Sequence, residues 1–141
     1  MSTQKIVSLP VRIIVSFLAN MVLLGVVAAV FGDPVQAKYF PELAAENPNM
    51  ALLSSGALLS GILIAVVYPY LRIKVGKGWF GSALSVAVLL GLTIYFATHI
   101  VQAGYINVSV TGWLLEGLFD STAPMASILA LAWLTNRQNK A

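Results

Sequence analysis

Glu116 and Asp120 stand four residues apart inside an apolar run near the C-terminus, and they are two of only five acidic residues in the chain. A four-residue step puts both carboxylates on one face of a helix, together with Trp113, Pro124 and Ser127. The only histidine, His99, ends a second stripe in which Ala83, Ala87, Gly91, Tyr95 and His99 follow one another at steps of four. A carboxylate pair, an imidazole and a phenol brought together can hold a proton, a cation or a small polar ligand. One histidine and two carboxylates also make a facial set for manganese, iron or zinc. Glu116, Asp120 and His99 are therefore the candidate metal ligands, although no HExxH or paired ExxH motif supports them. The same groups can equally form a hydrogen-bonded clasp between two helices. Tyr95, His99, Glu116 and Asp120 are the candidate ligand- or ion-binding residues on either reading.

Other chemistry finds little support. The chain has no cysteine, which removes disulfides, thiolate metal sites, iron–sulfur clusters and cysteine nucleophiles. There is no GxSxG elbow, so no catalytic residue is assigned. "GKG" at Gly76 to Gly78 lacks the spacing of a phosphate loop. No cofactor is specified.

The surroundings decide what these residues cost. Of 141 residues, 59% are hydrophobic and 9% charged, against roughly 25% charged in a soluble domain. So few charges cannot cover a globular surface in water, and the solvent is largely lipid. Four stretches reach the length of about 20 apolar residues that a bilayer-crossing helix needs. They run over 10–31, 50–71, 79–103 and 110–135, with an outer loop over 32–49. A short interfacial helix around "YFPELAAE" fits inside that loop. The fold class is all-α: an antiparallel bundle of four transmembrane helices, forming one membrane domain over 1–141.

Seven of the eight basic residues fall at one side: Lys5 and Arg12, then Arg72, Lys74 and Lys77, then Arg137 and Lys140. Only Lys38 falls at the other. The positive-inside rule then places both termini in the cytoplasm. The basic residues sit at segment ends, which is a topology pattern and not a nucleic-acid footprint. Tyr68, Tyr70, Trp79 and Trp133 mark the inner interface, and Phe31, Tyr39, Tyr105 and Trp113 the outer. Lys5, Arg12, the first apolar run and "VQA" at 35–37 have some features of a secretory signal. That run is longer than such signals use, so an uncleaved first helix is expected.

The links "RIKVGKG" and "GYINVS" are tight, which predicts that spans two, three and four are neighbours. Small residues mark contact faces in a membrane. Span two offers Gly56 and Ser60, with Ala57 and Gly61 beside them, and span three offers Ala83, Ala87 and Gly91. In antiparallel spans, His99 falls level with Glu116, and Tyr95 level with Asp120 one turn deeper. Asn20, Ser54 and Ser55 are further polar candidates.

A long outer loop with prolines, a Gly/Ser-rich second helix, "GWFGSALSVAVLLGLTIYFATH" and a fourth helix opening on "GWLLEGLFD" together resemble small bacterial four-helix membrane families of unknown function. The resemblance implies the fold and a bacterial cytoplasmic (inner) membrane, and no activity. Small multidrug exporters also have four helices, with a key glutamate in the first. Here the first span has no acid, and Glu116 is in the fourth.

Three functions follow as expectations. The first is a non-enzymatic accessory or interaction subunit, working in a homo-oligomer or a larger membrane complex. The second is a proton- or cation-coupled small-molecule carrier acting as a homo-oligomer through Glu116 and Asp120. The third is a membrane enzyme or cofactor protein centred on His99.

Overall fold

The computed structural model describes residues 6–41, 50–105 and 109–140. Among them every regular element is helical: α1 (Leu9–Val27), α2 (Asp33–Tyr39), α3 (Met50–Val67), α4 (Trp79–Gly91), α5 (Ala97–Ala103), α6 (Val110–Asp120) and α7 (Thr122–Gln138). These make four helices long and apolar enough to cross a membrane, Leu9–Val30, Met50–Tyr70, Trp79–Ala103 and Val110–Gln138. Their outward faces carry large apolar side chains such as Ile14, Leu18, Val22, Leu59, Leu63 and Leu89. Backbone donors and acceptors in these helices are paired internally, as hydrocarbon demands. This is the surface of a multi-pass membrane protein.

All four spans are irregular, the second only at its end, in a 3₁₀ turn over Tyr68–Tyr70. A π-helical turn, Ala28–Gly32, follows α1, and another, Leu92–Phe96, joins α4 to α5. Such wide turns cluster at functional sites. In the fourth span Pro124 has no N–H to give to the carbonyl of Asp120, four residues back. The helix accordingly breaks at Ser121, between α6 and α7.

The first π-turn corrects the expected outer loop. Pro34 does not stop the helix but falls in the first turn of α2, where its missing N–H is tolerated. Residues 33–39 are thus helical. Of the interfacial helix expected over 39–46, Tyr39 is the last residue of α2, Phe40 and Pro41 are not helical, and 42–46 lie outside the described residues.

Helix neighbours also differ from expectation. α1 packs along both α3 and α7, and α4 packs along α7, with α5 against α6 and α2 against α6. The tight Arg72–Gly78 link therefore joins two helices whose main partners are α1 and α7, not each other. Close approach explains the choice. A Cβ added at Gly61 on α3 would stand 2.9 Å from the backbone nitrogen of Phe17 on α1. Gly56, one turn earlier, meets nothing within 4 Å. The contact face of α3 is thus Ala57, Gly61, Ile64 and Ala65, not the stripe through Gly56.

The start of α1, the end of α7 and the α3–α4 link meet at one end. The Gly76 N–H donates to Asn136 Oδ1 at 2.8 Å, and Val7 and Val11 lie beside Leu134 and Gln138. The core is centred toward this end, on Ile64, Tyr68, Ala83, Ala87, Ile128 and Leu131. Tyr68, expected at the interface, is one of its buried members.

Half-way along the spans sits a polar knot. Asn20 is fully buried, and its Nδ2 donates to the Ala57 carbonyl at 3.3 Å. The Ser127 hydroxyl lies 2.6 Å from Asn20 Oδ1 and 2.9 Å from the Ser16 carbonyl, either of which accepts its single proton. Asn20 thereby ties spans one, two and four together, and it does not join the carboxylates.

Candidate functional site

The site lies at the opposite end from the chain termini, where α2, α5 and α6 converge. Ser109 caps α6, its Oγ accepting from the Gly112 N–H at 3.3 Å. From that start, α6 presents Trp113, Glu116, Gly117 and Asp120 over two turns. Two glycines let other elements close on it. A methyl at Gly112 would run into Tyr39, the last residue of α2, and Phe40 after it. At Gly117 it would stand 2.5 Å from both Cβ and Cγ of His99.

Glu116 turns to α2. Its Oε1 accepts from Gln36 Nε2 at 3.1 Å. Gln36 comes from α2, the segment expected to be loop, and so could not be seen as a partner from the sequence. Phe40 follows it, 3% exposed, with its ring edge-on to Trp113 at 6.0 Å. Trp113 lies in turn against His99, ring centroids 5.1 Å apart. The Trp113 indole N–H is buried and meets no acceptor among the described residues.

His99 faces two ways. Its Nδ1 lies 3.0 Å from the Tyr95 carbonyl. A carbonyl only accepts, so Nδ1 carries a proton. Its Nε2 lies 3.6 Å from Asp120 Oδ2. With Nδ1 protonated, a bond across that contact needs one further proton, held on Asp120 or on His99. The pair is electrically neutral overall in either arrangement, which lowers the cost of keeping it in lipid.

The pairing is shifted by one turn from expectation. His99 meets Asp120, not Glu116, and Tyr95 reaches away to span two, its hydroxyl 2.7 Å from Ser60 Oγ. The π-turn Leu92–Phe96 lies between Gly91 and His99, so the four-residue stripe does not continue unbroken. The four candidate residues are brought to one end, but as three contacts: Gln36–Glu116, His99–Asp120 and Ser60–Tyr95. Among the described residues no three His, Asp or Glu side chains gather in a metal-binding group. The facial set of Glu116, Asp120 and His99 is therefore not assembled, because Glu116 is turned toward α2.

Asp120 is more open than its partner His99. Its side chain is 38% exposed, against 12% for His99. It stands ten residues into the 29-residue fourth span, about a third of the way along and level with His99 near the end of the third span. A partly exposed carboxyl group inside a membrane-crossing span is costly to ionise unless a partner covers it.

No protein-family model matches this sequence, and neither a curated protein nor a solved structure matches it. Function is therefore argued from the site alone.

Proposed function

We propose that this protein is a non-enzymatic subunit of a membrane assembly, with its four spans forming an antiparallel bundle in a bacterial inner membrane and both termini in the cytoplasm. The basic residues at segment ends support that orientation. In this reading Gln36–Glu116, His99–Asp120 and Ser60–Tyr95 are clasps that fix the outer halves of the spans. The observation that carries the proposal is Asp120, paired with His99 and left more than a third exposed inside the fourth span. A group in that position costs up to about 2.5–3.5 kcal/mol if ionised. A neighbouring span offering a hydrogen-bond donor offsets that cost.

A second reading rests on a different observation. The His99–Asp120 contact accommodates one proton in two places, and π-turns adjoin the site in spans one and three. Those are parts a proton-coupled carrier needs. Reconstitution separates the readings. The purified protein alone in liposomes, with a pH gradient and a trapped pH dye, is expected to pass protons no faster than empty vesicles. A proton flux that Asp120→Asn abolishes would overturn the subunit reading and establish the carrier.

A further inference from the structure

Among the described residues, the basic end of the molecule holds no acidic side chain. All five carboxylate side chains belong to Asp33, Glu42, Glu46, Glu116 and Asp120, none of which lies in the segments that meet there. Arg12, Arg72, Lys74, Lys77, Arg137 and Lys140 do. Arg12 is the most confined of them: its Nε and Nη1 are buried and meet no acceptor among the described residues. A guanidinium held in that state puts a fixed positive charge into a region of low dielectric.

At the same end, an open cavity of about 440 Å³ lies between the start of α1 and the last turn of α7. Val7, Val11 and Leu134 give it an apolar wall, and Ser8, Arg137 and Gln138 a polar one. Arg12 does not line it; the positive charge in its wall is Arg137. Arg137 is in the last turn of α7, where its guanidinium also lies over the Trp133 ring, 5.5 Å from the centroid. Trp133 itself is half-exposed, as a side chain at a bilayer interface is. An apolar wall, a polar wall and an unbalanced positive field at headgroup depth describe one kind of ligand.

We infer that this cavity is the binding site of one anionic phospholipid, with Arg137, Gln138 and Ser8 holding the phosphate and Val7, Val11 and Leu134 receiving the first carbons of an acyl chain. The inference is independent of Asp120 and of the subunit reading, since it needs only that the chain spans a membrane.

Native mass spectrometry of the delipidated full chain, released from detergent with added phosphatidylglycerol, phosphatidylcholine or inorganic phosphate, tests it. One retained phosphatidylglycerol per chain is expected, with phosphatidylcholine lost at the same collision energy. Arg137→Gln should weaken that retention about fivefold, the value of one basic residue against an anionic headgroup. Val11→Trp, which fills the cavity and leaves every charge in place, should also lose the lipid, whereas Val22→Trp on the exposed side of α1 should not. Equal retention of both lipids would overturn the proposal. So would undiminished phosphatidylglycerol binding in both Arg137→Gln and Val11→Trp, and so would an adduct of inorganic phosphate without one of lipid.

Discussion

Valine at Gly91 is expected to unseat span three from span four. A Cβ there would stand 2.6 Å from the Ser121 carbonyl oxygen and 2.7 Å from Met125 Cε. The methionine can swing aside, but the carbonyl is backbone in the break between α6 and α7, so the helices must separate. Overpacking of this kind costs about 1–3 kcal/mol, and valine, with two methyls beyond the clash, belongs at the upper end. The matched control is Gly81→Val, on the same helix, where an added Cβ meets nothing within 4 Å. Unfolding of the two variants in a titration of mild detergent against dodecyl sulfate gives the comparison. If Gly91→Val unfolds at the same point as Gly81→Val, the packing of α4 on α7 is wrong.

The second large effect falls on the site. Alanine at Gly117 would put a methyl 2.5 Å from both Cβ and Cγ of His99. The ring has to leave, and with it go the contacts of Nδ1 to the Tyr95 carbonyl at 3.0 Å and of Nε2 to Asp120 at 3.6 Å. The stability loss expected is again about 1–3 kcal/mol. Imidazole nitrogen chemical shifts, read by NMR on protein labelled at its one histidine, give a second and more specific readout. In the wild-type protein Nδ1 should report as protonated, and in Gly117→Ala it should average over both tautomers. Shifts that do not move on substitution would show that His99 is not seated against Gly117.

These two glycines illustrate what a linear reading can and cannot reach. The four spans were legible because about 20 consecutive apolar residues is a one-dimensional signal, and the observed Met50–Tyr70 and Trp79–Ala103 lie within a residue of the expected limits. Neighbour order was not legible. In lipid both faces of a helix are apolar, so hydropathy does not distinguish the face toward α1 from the face toward solvent hydrocarbon. Gly56 and Gly61 look alike in the sequence, yet only Gly61 touches another backbone.

The candidate site was legible in its members and not in its pairings. Tyr95, His99, Glu116 and Asp120 do come to one end, because three- and four-residue steps and span depth carry that much. The partner of each depends on features with no clear pattern in the residues. The π-turn at Leu92–Phe96 moves His99 from Glu116 to Asp120. Pro34 reads as a loop residue and hid Gln36, which is the group that Glu116 grips. The pairing of Trp113 with Phe40 was hidden for the same reason.

The most direct test of the subunit reading is the mass of the assembly in which the protein leaves its own membrane. Gentle extraction followed by native mass spectrometry should show the chain bound to a different, larger partner, and Asp120→Leu should release it while leaving the chain folded. A chain that emerges alone, or only with copies of itself, would contradict the account and leave the His99–Asp120 pair to be explained as a proton site.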